Sequence, residues 1–281
     1  MKSANHFSRI AVTLLCLAAL ATGSFAATNP LKAPQGLAVD ASGNLWVANS
    51  GDNNVVVFND KYKQQTSMTV TQGISKPSAL AFDPLGNLWV ANYGNSSITE
   101  YTAGTQNTSA TITNSIASPQ SIAIDSLDNI WVENNNSNVT VYAPPSLYAT
   151  PSSLVRTIGL AYPSYAITVG QGTLGWGGST AVSFVPATTA LLSGALNGGT
   201  YGNDTGIAMA TDAVGNVYMG NIDGSVNIAA PFGYEYAFIQ LSFPPAGIAV
   251  DSVHKLVYFS NFQGNSISVY NTSGTLLKVI E

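Results

Sequence analysis

Short apolar runs closed by polar turns recur along this chain. Gly36–Val39 (GLAV) is followed by the polar Asp40–Asn44 (DASGN). Leu45–Asn49 (LWVAN) comes next, then a second polar stretch, and then Val55–Phe58 (VVVF). The unbroken run GLAV suits an innermost strand buried on both faces. The stretch after it predicts a tight turn, because Asp accepts bonds from turn amides and Gly-Asn tolerates positive φ. In LWVAN, alternation sets Leu45, Val47 and Asn49 on one face and Trp46 and Ala48 on the other. VVVF predicts a third strand. A weaker fourth follows each unit as QTSMTV (65–70), TSATIT (108–113), SLVRTI (153–158), YAFIQL (236–241) and TLLKVI (275–280), and in one unit near TALLSG (189–194).

The unit repeats. GNLWVAN is found at Gly43–Asn49 and again at Gly86–Asn92. The aspartates before the turns, Asp40, Asp83, Asp125, Asp212 and Asp251, are spaced by 43, 42, 87 and 39 residues. The gap of 87 is two periods, which predicts a degenerate copy at Ala166–Val185, with Gly170 in the aspartate's place and Trp176 at the offset Trp46 keeps from Asp40. Six units with a period of about 40 residues and several short strands each predict an all-β fold, a six-bladed β-propeller with four-stranded antiparallel blades. The first blade starts on its inner strand and the last ends on its outer one. The ring therefore closes by side-chain packing, helped by the segment NPLKAP (29–34).

The amino terminus has a different character. Lys2 and Arg9 precede the apolar run AVTLLCLAALA (11–21), and Ser24 and Ala26 supply small residues before a cleavage point. This predicts a secretory signal peptide over 1–26 and one propeller domain over 27–281. Cys16, the sole cysteine, falls in that leader without a lipoprotein pattern, so no disulfide and no lipid anchor is expected. The mature chain carries no other apolar stretch approaching about 18 residues, hence no membrane span. Removing Lys2 and Arg9 leaves seven Lys/Arg against fourteen Asp/Glu. Without a basic stripe, nucleic acid is excluded as a partner. The expected state is a monomer, secreted or periplasmic.

The pattern P-x-G-[LI]-A-[VI]-D-x-x-G-N-[LI]-[WY]-V-A-[DN] resembles the NHL repeat. Its leading proline stands here as Pro34, Pro77, Pro119 and Pro245. The strings are also similar to those of virginiamycin B lyase-type and regucalcin/gluconolactonase propellers. The NHL resemblance implies a binding or scaffold module. The lyase and lactonase resemblances imply a metal-dependent enzyme.

Candidate chemistry is sparse. Asn49, Asn92, Asn134, Asn221 and Asn261 end the second strands and form a ring of amides able to bind a polar ligand or help a cation, with Ser179 in the sixth place. Each also fits an Asx motif closing its own turn. The aspartates suit turn capping better than a metal cage. One residue breaks the repeat. Before those asparagines stand Ala48, Ala91, Glu133, Gly178, Gly220 and Ser260, five small residues and one carboxylate. Glu133 is the candidate acid, base or metal ligand, or else a carboxylate that meets water near a mouth. His254 lies in a turn and Arg156 in an outer strand, and neither suggests catalysis. Trp46, Trp89, Trp131 and Trp176 read as core. The expected function is non-enzymatic binding of a protein or small polar ligand at a propeller mouth. The alternative is a lyase or lactonase using a divalent cation near Glu133.

Overall fold

A computed structural model describes residues 29–143, 153–160, 164–170, 173–178, 182–186, 195–196, 199–201, 207–230 and 235–281. The leader expected over 1–26, the TALLSG segment at 189–194 and position 179 lie outside the described residues. Six antiparallel sheets follow one another along the chain. Their inner strands are Pro34–Val39, Pro77–Phe82, Pro119–Ile124, Ser164–Gly170, Ala208–Thr211 and Gly247–Asp251. Each neighbours the next, and the last neighbours the first, so the ring is closed. No helix among the described residues is long and apolar enough to cross a membrane.

The blades are less uniform than the repeat predicts. Five carry four or more strands, rather than the expected six, and the first carries three. Its fourth position holds a short 3-10 turn at Thr66–Met68 and a single bridge, Val55 to Val70. The segment QTSMTV alternates poorly and offers only Met68 and Val70 to the core, so it does not extend as a strand. The third blade gains a parallel edge strand, Ala195–Leu196, beside Leu154–Leu160. In the fourth blade the outer strand paired with Val182–Pro186 is Gly199–Tyr201.

The aspartates fasten the turns and hold the tryptophans. Asp40 Oδ1 accepts from the N–H groups of Ser42 and Asn44 (both 2.9 Å), and its Oδ2 accepts from Asn44 Nδ2 (2.9 Å) and Trp46 Nε1 (2.8 Å). Asp83 and Asp125 repeat this, taking Trp89 Nε1 at 3.2 Å and Trp131 Nε1 at 2.9 Å. One carboxylate thus satisfies a turn and the buried indole donor of the next strand. In the sixth blade His254 takes the amide's place, its Nδ1 standing 2.7 Å from Asp251 Oδ2.

The fourth blade departs by one residue. Elsewhere the register pairs Leu37 with Val47 and Ala38 with Trp46. Here Ile167 pairs with Trp176, and Ala166 with Gly177. Trp176 therefore stands at the level of Val47, and Gly178 at the level of Asn49. The turn after Gly170 is one residue shorter than the offset suggested, and a one-residue slip sends a strand side chain to the opposite face. Trp176 accordingly packs backward beside Trp131, Leu174 and Ile167. With no aspartate in reach, its Nε1 is buried without a partner.

Neighbouring blades are joined by apolar packing and by polar stitches near the axis. Trp46, Ala48, Val55 and Val57 of the first blade meet Leu80, Leu88 and Val90 of the second. At the closure Leu37, Val47 and Phe58 meet Ala249, Tyr258 and Ile267, with Leu31 of the leading segment in the same cluster. Ser260 Oγ donates to Gln35 O at 2.6 Å, and Ser78 Oγ to Pro119 O at 2.7 Å. Ala33 N donates to Asn265 Oδ1 at 2.7 Å, tying the leading segment to the last blade. The backbones come so close there that a Cβ on Gly247 would lie 2.3 Å from Gln35 O.

Candidate functional site

The inner strands all begin at one end of the ring and run toward the aspartate turns at the other. Near the beginning of the first four the pairing skips a residue. Pro34 pairs with Asn49, but the next regular pair is Leu37 with Val47. Pro77, Pro119 and Ser164 show the same irregularity. A bulge redirects the side chain of the extra residue. The residues concerned are Gln35, Ser78, Gln120 and Tyr165, and Ile207 and Ala246 occupy the same place in the last two blades. All six line a single cavity of about 760 Å³ at this mouth. Below it a narrow channel of about 60 Å³ follows the inner strands.

A second tier comes from the residues just after the strand-ending asparagines: Ser50, Tyr93, Ile222 and Phe262 line the same cavity. Tyr93, Tyr165, Ile222 and Phe262 are large apolar side chains left open to solvent, Ile222 at 66%. Lys76 is the only charged side chain among the described lining residues. The repeat pattern pointed to the asparagines themselves. The residues facing the cavity are those the repeat leaves variable: the x of P-x-G, and the position after Asn.

The asparagines turn inward. Asn49, Asn92 and Asn134 are fully buried. Each accepts a bond from the backbone N–H of the residue 17 positions earlier, in the loop leading into its own blade: Lys32 at 2.6 Å, Ser75 at 3.0 Å and Ala117 at 2.9 Å. Their Nδ2 groups donate to the third strand, Asn49 to Asn54 Oδ1 and Asn92 to Thr99 Oγ1. Asn221 donates to Ser225 Oγ at 3.0 Å. Asn261 cannot follow the pattern, because position 244 is a proline with no N–H. It accepts instead from Gly264 N at 2.8 Å, the one Asx-type closure of its own turn. The amides therefore form no polar ring open to a ligand. Replacing Asn134 by Ala leaves the Ala117 N–H buried without its acceptor. A loss of about 1–3 kcal/mol is expected, against a smaller loss for Asn261→Ala, as read from urea unfolding of the two variants.

Glu133 is also inward. It faces the fourth blade, between Trp131 and the mouth, and none of its surface is exposed. It does not meet water at the rim. Burial pushes its carboxyl up to about 9, so it stands protonated at neutral pH. Gln120, turned with its NH2 inward, donates to Ser164 O at 3.2 Å and to Glu133 Oε2 at 3.3 Å. Glu133 Oε1 has no partner. Asn92 and Asn49 lie in other blades and do not converge on it. Among the described residues no group of three His, Cys, Asp or Glu side chains is placed to hold a metal ion.

Residues 31–58 match the NHL repeat. No curated protein sequence matches the chain. Among solved structures, a streptogramin B lyase is similar at 14% identity and a TM-score of 0.64, over 90% of this chain and 84% of that one. A catalytically inactive virginiamycin B lyase from Staphylococcus aureus with quinupristin is similar at 14% identity and a TM-score of 0.62, covering 89% and 85%. Hydrazine synthase of Kuenenia stuttgartiensis is similar at 14% identity and 0.65, covering 90% and 99%. At such identities the likeness is one of fold.

Proposed function

Taking the chain as a β-propeller that carries an NHL repeat, we propose that it is an exported, monomeric, non-enzymatic binding module whose ligand sits in the mouth at the start of the inner strands. The observation that carries this reading is the cavity of about 760 Å³ that every blade lines with a residue from the start of its inner strand. Its size falls within the range of small-molecule sites, and it combines apolar side chains with a few polar groups. The ligand expected from the sequence was polar. The exposed Tyr165, Ile222 and Phe262 favour one with a substantial apolar part.

The test is fluorescence of anilinonaphthalene sulfonate bound to the folded chain. Saturable binding should occur at one site and weaken at least about tenfold in Tyr165→Ala and Phe262→Ala. An equal response in Leu127→Ser, at the opposite end of the ring, with no effect of the mouth variants would contradict the reading.

The lyase or lactonase reading rests on the likeness to the streptogramin and virginiamycin lyase structures. Its candidate residue, Glu133, is buried, protonated and without companion carboxylates among the described residues. These observations support the binding reading over the enzymatic one.

A further inference from the structure

The mouth is divided. Among the described lining residues, blades one to three contribute Gln35, Ser50, Asn53, Lys76, Ser78 and Gln120 beside one aromatic ring, Tyr93, while blades four to six contribute Tyr165, Ile207, Ile222, Ala246 and Phe262. One half offers amides, hydroxyls and a cation around a single aromatic ring, and the described residues of the other are mainly apolar. A ligand that satisfies both halves is amphiphilic, and the sign of its polar end follows from where the charges lie.

The repeat aspartates Asp40, Asp83, Asp125, Asp212 and Asp251 all sit in the turns at the far end of the inner strands. About five residues of extended chain, roughly 17 Å, separate them from the mouth, which exceeds the Debye length of about 8 Å at physiological salt. Among the described residues two carboxylates stand near the rim. Asp52 is paired with Lys32 at 3.3 Å. Asp223 accepts from Ser225 N and Ser225 Oγ at 2.9 and 2.6 Å, bonds that hold its carboxyl below the usual range. Lys76 has no ion-pair partner among the described residues. Its backbone is held in the left-handed region at φ 43° by the bond from its N–H to Asn53 Oδ1, 2.7 Å, across the blade boundary. That constraint fixes where the side chain leaves the backbone. Gln120 is tied down by Ser164 and Glu133 on the same polar side.

We propose that the mouth takes an organic anion with an apolar body, an acyl or aryl carboxylate, its carboxylate at Lys76 and its apolar part over Tyr165, Ile222 and Phe262. This rests on the mouth-binding reading and specifies its ligand class. The net charge of the chain is negative, so selection of such a molecule depends on the local field at Lys76 and on the apolar side chains of the cavity.

The test uses three probes of one chain length, octanoate, octanol and octylammonium, titrated calorimetrically into the full chain. Octanoate should bind at one site about tenfold more tightly than octanol, and octylammonium more weakly than either. Lys76→Gln should remove the octanoate advantage while leaving octanol unchanged, and Lys76→Arg should retain it. Phe262→Ala should weaken octanoate and octanol alike. Equal affinity for octanoate and octanol, both sensitive to Phe262, overturns the anion class and leaves the mouth site standing. An octanoate advantage that survives Lys76→Gln likewise overturns it. No one-site binding of any probe overturns both proposals.

Discussion

Trp131→Ala is expected to cost about 3–5 kcal/mol of folding free energy, the range for deleting a buried large aromatic side chain. Trp131 is wholly buried between the third and fourth blades, against Val139, Val141, Ile158, Ile167, Leu174 and Trp176. Its Nε1 also donates to Asp125 Oδ2 at 2.9 Å. Truncation opens a cavity in a sandwich of two sheets that cannot collapse without moving an entire blade. The equivalent change at Trp46 is expected to cost less. Trp46 keeps 7% of its surface exposed, beside a cleft of about 540 Å³ where the three-stranded first blade leaves its flank open. Urea unfolding checks the pair. The midpoint of Trp131→Ala should fall well below that of Trp46→Ala, with similar m-values. A reversed order would contradict the assignment of Trp131 to a closed interface.

Glu133→Gln should make the protein more stable at alkaline pH. Burial pushes the folded carboxyl up to about 9, against 4.5 for a free glutamate. Between those values the unfolded chain has released a proton that the folded chain still holds. Stability contributed by this group is therefore complete below the unfolded value and declines as pH rises toward the folded one. The slope is about 1.4 kcal/mol per pH unit. Glutamine has the same shape and no proton to lose. The stability difference between variant and parent should thus grow by about 4 kcal/mol from about pH 5 to about pH 8. Urea midpoints taken across that window check it. A difference that does not change with pH would mean that Glu133 ionises freely in the folded state. A cation held by Glu133 would give the opposite sign, with the variant the less stable protein at neutral pH.

The repeat made most of this fold legible before any coordinates. Asp40, Asp83 and Asp125 announced their turns, and the tryptophan six residues later announced the buried face. The fourth blade escaped because the similarity to LWVAN was judged by the offset of Trp176 from Gly170. A turn shorter by one residue moves that tryptophan to the other face, and only strand pairing shows it. The first blade escaped because QTSMTV was accepted as a strand by its position in the period, although its alternation is poor. At the site, attention went to what repeats. Asn49, Asn92 and Asn134 recur because every blade must anchor its incoming loop, which is a demand of folding. Gln35, Ser78, Gln120 and Tyr165 differ from blade to blade because the fold makes no common demand on this position: Ser78 turns its hydroxyl to Pro119 O and Gln120 its amide to Glu133, while Tyr165 stays open to solvent. The signal was present as the unconstrained x between the repeat proline and the small residue after it. Glu133 was singled out correctly as a break in the repeat. Its burial was not legible, because whether that layer is wet depends on how closely the fourth blade packs.

Ligand contacts at the mouth come from these variable positions at the starts of the inner strands. Amide chemical-shift mapping during an octanoate titration tests it most directly. The largest shifts are expected on Gln35, Ser78, Gln120, Tyr165, Ile207 and Ala246, with the aspartate turns unmoved. Shifts concentrated at Leu85, Leu127, Val214 and Val253, at the other end of the ring, would contradict it.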